Sequence, residues 1–379
     1  MQINTRLVRP LRRVNVEQIA DKYNADAHCK KMTTRTHLKL LTVSFLKGDT
    51  HLSQIVNLSK NPKIQRLGIV EISKSQLSKL HHSDKPDRPP TTSKPKSYLV
   101  FQEIYEEMVR YALQSLNIHS KRNNRLLIAI DGSKKKAGIS NPLFDDIKTV
   151  IEMDGIKLHL SVICGVRKLP LVALTTEPTV HDNTQFREIV NKLNDLVDLT
   201  NDDVILLFDL GYYDFKQFEE LMENGIAFIS RAKKNAKFEV IETVSEDPSG
   251  IDQIVKIKDC KYPIRLVTLK GEDGKNWRYF TDIFHLKPEE IGKIYPWRWD
   301  IEICNREENQ SLKMNRFFGK SLNAVLIEIY VILIAQILVI LFAEHMGLDY
   351  TLTHMINFIR GFFYTDTRYF DYAPRWKNK

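Results

Sequence analysis

Cysteine is scarce in this chain: four residues in 379 (Cys29, Cys164, Cys260 and Cys304), far apart and with no CxxC pair. That spacing excludes a disulfide scaffold and a zinc ribbon, and it favours a reducing compartment. The opening residues, MQINTRLVRPLRR, lack the apolar stretch of a secretory leader. Long apolar runs are missing too, apart from residues 324–343 (AVLIEIYVILIAQILVILFA). At about 20 residues this run is long enough to cross a bilayer. It contains Glu328 and Gln336, however, and a helix apolar on every side is also what the centre of a packed core requires. A buried helix, with no membrane partner, is the favoured reading. A hydrophobic content of 43% excludes wholesale disorder and a fibrous chain, and the length allows two or three domains.

Acidic residues are few in the first quarter. Residues 1–97 carry 19 Lys and Arg against 7 Asp and Glu, a net +12, while the remaining 282 carry 37 against 40, a net −3. The formal +9 of the chain therefore sits in one region. A concentrated basic module on a near-neutral body is the footprint of a polyanion-binding arm, most often for nucleic acid. A lysine-rich solubilising surface is the plain alternative.

Residues 1–80 pattern as helix. Apolar positions recur at helical spacing over 34–46 (TRTHLKLLTVSFL) and 52–58, Gly68 marks a break, and Ser73 followed by Gln76 has the form of a capping box. Helix, short turn and capped basic helix make a helix-turn-helix candidate, although any two helices joined by a glycine turn share the pattern. Residues 81–97 (HHSDKPDRPPTTSKPKS) hold four prolines and no large apolar side chain, the composition of a semi-extended linker. A helix over 98–116 follows, then strands at 125–130, 147–153, 158–164 and 169–176, with Asp154-Gly155 as a hairpin signal. Helix 186–199, strand 204–208 (VILLF), helix 215–224 and strand 227–230 complete a mixed α/β sheet flanked by helices. Residues 237–284 alternate as four strands with no helix between them, a β-rich insertion read as a satellite sheet. Helix resumes at 287 and breaks at Pro296. The expected organisation is a helical basic DNA-binding domain (1–80), a proline-rich linker (81–97), an α/β core in two parts (98–236 and 287–345) interrupted by the insertion (237–286), and a C-terminal tail (346–379).

Two carboxylates stand at the ends of apolar strands, Asp131 after LLIAI and Asp209 after VILLF. Ligands of open α/β sheets gather outside the strand carboxyl ends, which would bring both to one site. Either alone reads as a turn or cap aspartate. A pair offers the oxygens that hard divalent cations need. Downstream, at about 100° per residue, Tyr295, Arg298, Glu302, Arg306, Asn309 and Lys313 share one face of a helix. A solvated charged face is the ordinary explanation. Here Glu302 is the one acid among cationic and polar neighbours, which suits a metal ligand flanked by phosphate-holding groups. Lys134, Lys135 and Lys136 follow Asp131 and either hold phosphate or form a solvated loop. Trp277, Trp297 and Trp299 are either base-stacking platforms or, for at least two of them, core residues.

Taken together, these motifs resemble the DDE transposases of bacterial and archaeal insertion sequences, in the group with a Tyr-x2-Arg-x3-Glu-x6-Lys signature. IAIDGS (128–133) matches the first motif, residues 208–233 (FDLGYYDFKQFEELMENGIAFISRAK) the second, and YPWRWDIE (295–302), followed by RFFGKS, the third. The resemblance covers about residues 120–345. It implies an RNase H-like catalytic core with Asp131, Asp209 and Glu302 as its acids, and the 324–343 helix packed on the core sheet. It also implies two Mg²⁺ ions about 3.5–4 Å apart, with Mn²⁺ as a substitute. Water would attack a phosphodiester at the transposon end, and the freed 3′-OH would attack target DNA. The implied partners are double-stranded DNA, as terminal inverted repeats and target, and a second copy in a homodimer assembled on DNA, in the cytoplasm at the nucleoid. Residues for DNA contact are Tyr295, Arg298, Arg306, Lys313, Arg231, Lys134 and Lys135. His181-Asp182 is a further recurring pair of the family, with a turn role as its default reading. The signature departs at its last position, where Asn309 stands in place of the family's Lys. Either Arg306 or Lys313 supplies that charge, or this copy is weakened. The rivals are an RNase H-like nuclease that cuts without joining and a transposase-derived DNA-binding protein without catalysis.

Overall fold

A computed structural model describes residues 3–81 (28 and 30 apart), 96–118, 125–139 and 153–364 (213, 234, 259, 272, 273, 349 and 350 apart). The chain divides into a helical unit (1–118, 135–156 and 305–379) and a sheet unit (119–134 and 157–304).

The helical unit contains α1 (Ile3–Leu7), α2 (Val16–Lys22), α3 (Thr34–Lys47), α4 (Leu52–Ser59), α5 (Pro62–Gln65), α6 (Lys74–His81), α7 (Tyr98–Ser115), α12 (Leu322–His345) and α13 (Leu352–Gly361). Local signals set their ends. Thr33 caps α3 by accepting from the Thr36 N–H, and Gly48 ends it at φ 92°. The expected box at α6 is present: Gln76 N–H donates to Ser73 Oγ, and Ser73 N–H to Gln76 Oε1. The membrane-length run is α12, buried from Asn323 to Ala343. Its partners are α7, α3 and α13, where the sequence reading expected the sheet. Neighbours on several sides explain why no face of it is polar. Glu328 is tolerated there because its carboxyl oxygens accept from the Phe318 and Gly319 N–H groups at 3.1 and 2.8 Å.

The N-terminal helices fall in the same compact unit as α7, α12 and α13. Lys96 and Ser97, assigned to the linker, are also part of this unit, while residues 82–95 lie outside the described ones. Lys96 is fully buried, with Nζ 2.5 Å from Asp26 Oδ1 and bonded to the Ala25 carbonyl, and its own carbonyl accepts from Asn323 Nδ2. A lysine in linker composition reads as solvated, and only its partners from α12 and the 25–26 turn show otherwise.

The sheet unit is built on β1 (Leu126–Ile139), β2 (Met153–Ile163), β3 (Leu169–Thr176), β4 (Val204–Phe208), β5 (Phe228–Arg231), β6 (Glu239–Asp247), β7 (Gly250–Lys256), β8 (Ile264–Lys270) and β9 (Asn276–Thr281). They form one sheet in the order β3-β2-β1-β4-β5-β9-β8-β7-β6. β1, β4 and β5 run parallel, and β9 joins β5 antiparallel through Ile229↔Thr281, Ser230↔Phe280 and Arg231↔Tyr279. The β-rich insertion thus continues the main sheet instead of forming a satellite. It covers the edge that β5 would otherwise leave unpaired, and Thr281 Oγ1 fastens the join by donating to the Phe228 carbonyl at 2.7 Å. Asp154-Gly155 lies inside β2 and not in a turn. Gly155 has φ 152°, and a Cβ there would stand 2.1 Å from the Lys135 carbonyl oxygen, so close backbone approach demands the glycine. The strand expected at 147–153 falls mostly on residues outside the described set.

Helices α8 (Asn183–Asn194), α9 (Phe215–Glu223), α10 (Pro288–Ile294) and α11 (Asp300–Ser311) complete the fold, with a 3-10 turn over Tyr295–Trp299 between the last two. The run VILLF is apolar throughout because β4 is covered on both faces. Ile205 and Leu207 pack with Ile291, Ile294 and Tyr295 on the α10 side. Phe208 meets Phe186 of α8 and Phe218 of α9 on the other, at ring distances of 4.8 and 5.9 Å.

Candidate active site

β1 does not stop at Asp131 but runs on to Ile139. Its parallel register with β4 ends at Ile130↔Phe208, so Asp131 and Asp209 are the next residues on the two neighbouring chains, one strand spacing of about 5 Å apart. Side chains alternate along a strand. Asp131 follows Leu127 and Ala129, and Asp209 follows Ile205 and Leu207, so both acids belong to the face covered by α10 and the 3-10 turn.

That turn brings in the third motif. Tyr295 is buried, and its hydroxyl donates to the carbonyl of Phe208, the residue before Asp209, at 3.4 Å. Burial pushes its phenol well up, and the charge of Asp209 adds to the effect. Arg298 is buried as well, with Nη1 2.7 Å from Glu302 Oε1. Burial alone would weaken its charge, but Tyr295, Glu302 and Asp209 hold its pKa above the usual arginine value. Asp131 is pushed up to about 7, first by burial and then by the charge of Glu302, with Asp182 adding to it and the Gly132 N–H and Arg298 opposing. These couplings gather Asp131, Asp209, Glu302, Arg298 and Tyr295 in one place.

Among the described residues, no group of three or more His, Cys, Asp or Glu is arranged so that it could hold a metal ion. Instead, Glu302 is turned onto Arg298. The donors nevertheless suit a hard divalent cation. Asp209 Oδ1 and Glu302 Oε2 are buried with no hydrogen-bond partner, and Asp131 holds a proton far more tightly than an exposed carboxyl. Unpaired buried carboxylate oxygens are costly unless a cation compensates them.

The remaining sequence candidates separate clearly. Arg231, at the end of β5, is half-buried with its guanidinium 4.7 Å from the Trp277 ring centroid. Lys134 is exposed. Lys135 is buried in the helical unit, 3.2 Å from Asn305 Oδ1 and 3.7 Å from Glu308 Oε2, so it serves an internal ion pair and is not presented to a ligand. The single helical face drawn from 295 to 313 does not exist as such: 295–299 is a 3-10 turn, α11 ends at Ser311, and Lys313 lies past it at φ 61°. Pro296 tightens the start, and the left-handed residue ends the pattern. Arg306 is exposed on α11, whereas Asn309 is half-buried with its Oδ1 unpartnered. Trp297 and Trp299 are exposed at 49% and 56%, and Trp277 is half-buried, so two of the three tryptophans are outside the core, contrary to the core reading.

Two residues of this site were not expected. Asp182, given a turn role, has Oδ2 2.9 Å from Lys157 Nζ and Oδ1 3.3 Å from His159 Nδ1. The second contact has the distance of an ion pair without the angle of a hydrogen bond, since both atoms lack a hydrogen-bond partner. Tyr212 is buried with an unpartnered hydroxyl, and burial together with the charges of Asp182 and Asp131 pushes its phenol well up. The His-Asp pair and the Gly-Tyr after Asp209 carried the available signals, but only the fold shows which acid they approach.

Residues 153–338 match the family of the transposase DDE domain. The chain is 24% identical over 222 residues to the probable transposase for insertion sequence element IS5377 of Geobacillus stearothermophilus, covering 56% of each chain. It is 27% identical over 173 residues to the transposase InsG for insertion sequence element IS4 of Escherichia coli, covering 40% of this chain and 38% of that one. The chain thus spans about half the length, or less, of the curated relatives it matches. Its fold is similar to that of the piggyBac transposase in a synaptic complex with hairpin DNA, with a TM-score of 0.53 and 11% identity over 94% of this chain and 78% of that one.

Proposed function

The chain belongs to the DDE-type transposases of insertion sequences, and from that premise we propose that it cleaves DNA at transposon ends and joins the freed 3′-OH to target DNA by metal-dependent phosphoryl transfer. The observation that carries this reading is that Asp131 and Asp209 directly follow Ile130 and Phe208, the last paired residues of the parallel β1-β4 register, while Arg298 holds Glu302. In it, the parallel β1-β4-β5 centre is an RNase H-like core, and Asp131, Asp209 and Glu302 hold two divalent ions, Mg²⁺ or Mn²⁺. Such ions supply charge for the attacking and leaving oxygens of an in-line displacement. Arg298 holds the Glu302 carboxylate in place through its 2.7 Å contact. Tyr295 ties the turn to β4 and so sets the height of Glu302 relative to Asp209.

The chemistry is two displacements at phosphorus. A water oxygen bonds to the phosphorus at the transposon end as the bond to the 3′ oxygen breaks; that 3′-OH then attacks a target phosphodiester and expels another 3′ oxygen. In this reading Lys134, Arg231, Arg306 and Lys313 contact phosphates, and the exposed Trp297 and Trp299 offer planes for an unpaired base. The basic N-terminal helices bind the terminal inverted repeats, mostly through phosphate, and two copies pair on DNA in the cytoplasm. The test is strand cleavage and joining on a plasmid bearing the element's ends. Asp209→Asn is expected to lose both activities by about 10³-fold or more. Full activity in that variant refutes the metal site, and cleavage without joined product favours a nuclease.

A further inference from the structure

We propose that Asp182 is a positioning residue of the acidic site: it braces the backbone carrying Asp131 and Asp209, and its charge tightens the hold of that site on divalent cations. The inference rests on the reading of Asp131, Asp209 and Glu302 as metal ligands.

The bracing follows from the glycines. A Cβ on Gly132 would stand 1.8 Å from Asp182 Oδ1, and one on Gly211 3.4 Å from Oδ2. One carboxylate therefore rests against the residue after Asp131 and against the second residue after Asp209. Gly132 follows Asp131 on the strand, so its missing side chain points to the opposite face of the sheet. Asp182, at the N-terminal end of α8, supports the strand from behind while the Asp131 carboxylate faces the cation. At Gly132 the place of a Cβ is filled by the Asp182 carboxylate oxygen, so a side chain there would displace that carboxylate, whereas a Cβ on Gly211 would meet it at ordinary van der Waals distance.

The charge has its own support. Lys157 and His159 are two apart on β2, so they share a face. Lys157 is buried, with Nζ shared between Asp182 Oδ2 and the Val180 carbonyl at 3.0 Å. His159 is buried, with Nε2 2.8 Å from Thr176 Oγ1. Burial would push the Asp182 carboxyl up, yet His159 and Lys157 bring it below the usual value, so the group is an anion. Asp182 Oδ1 remains without a hydrogen-bond partner, leaving its field to act on Asp131 and Tyr212. An anion that is held behind a cation site, but is not one of its ligands, strengthens cation binding through the low-dielectric interior.

Charge and bracing make opposite predictions for Lys157→Met and different ones for Asp182→Asn. Direct Mn²⁺ binding to the full-length protein, read by the electron paramagnetic resonance signal of free Mn²⁺, is the measurement. Asp182→Asn, nearly the same shape without the charge, is expected to weaken Mn²⁺ binding about tenfold, with helical content by circular dichroism unchanged. Lys157→Met, which removes the cation partner of Asp182, is expected to tighten it several-fold. A purely structural role would leave Asp182→Asn, which keeps the shape, at wild-type binding and would weaken binding in Lys157→Met. Equal binding by wild type, Asp182→Asn and Lys157→Met, with loss in Asp209→Asn, overturns the proposal and leaves the metal site standing. Equal binding by wild type and Asp209→Asn removes the metal reading and this inference with it. Should Asp182→Asn not fold, Lys157→Met alone decides: tighter binding supports the role, unchanged or weaker binding refutes it.

Discussion

Replacing Glu328 by Gln should remove most of the pH dependence of the helical unit's stability between pH 5 and 8. Glu328 is fully buried in α12, and burial pushes its carboxyl up to about 8 against the opposing pull of the Gly319 and Phe318 N–H groups. Its ordinary value is 4.5. Between those values the folded chain keeps a proton that the unfolded chain has released, so folding is favoured at low pH and loses ground as pH rises. The contribution is complete below about 4.5 and gone once pH passes about 8. At 1.36 kcal/mol per pH unit, the loss from pH 5 to pH 8 is about 3–4 kcal/mol. At about 2–4 °C per kcal/mol for a body of 150–250 residues, the melting temperature falls by about 6–16 °C over that range. Gln cannot ionise, but it offers one oxygen to two backbone donors, which costs about 1–3 kcal/mol at every pH. The two curves should therefore cross, with the variant less stable at pH 5 and more stable above pH 8. Thermal melts at 222 nm from pH 5 to 9 read this directly, because the unit is helical. Asp131 titrates in the same direction in both proteins, so the difference between the curves isolates Glu328. Parallel curves would refute the account.

Two further outcomes follow from the same kind of reasoning. Asp131 is raised to about 7, so protons compete with the cation there: Mn²⁺ binding should fall about tenfold per pH unit below 7 and level off above it, and a flat profile from pH 5.5 to 8 would count against Asp131 as a ligand. In the insertion, Arg265 and Asp252 are buried and joined through two bonds of 2.9 and 2.8 Å, while Arg265 also donates to the Ile283 and Leu286 carbonyls. Arg265→Met should cost about 3–5 kcal/mol in urea unfolding, and adding Asp252→Leu should recover part of it but not all, since two carbonyls stay unpaired; an Arg265→Met variant as stable as wild type would show the pair to be dispensable.

The sequence revealed elements better than their assembly. The strand VILLF, the capped α6 and the break at Pro296 are written in local composition, and each is present with nearly the expected bounds. What was not legible is pairing across distance. Nothing local in 276–281 says that β9 will lie on β5, and nothing in a proline-rich stretch says that Lys96 will be buried on Asp26. The site divides in the same way. Asp131 and Asp209 were proposed because apolar strands end in acids, and Glu302 because a motif accompanied it. Asp182 was not, because its meaning depends on two glycines it meets from 50 and 29 residues away in the chain. Lys135 failed for the converse reason: three consecutive lysines look solvated, and only the buried Glu308 shows that one of them is not.

The helical unit joins the two ends of the chain. Arg360 donates to the Leu46 carbonyl across 314 residues, and α3 and α7 wait for α12 to fill their core. At about 5–20 residues per second of synthesis, the apolar faces of the first helices stay uncovered on the ribosome for roughly 15–60 s. A nascent or truncated chain would then carry its most basic helices without the core that shapes them. Early termination would yield a polypeptide attractive to chaperones and proteases, not a fragment that occupies DNA.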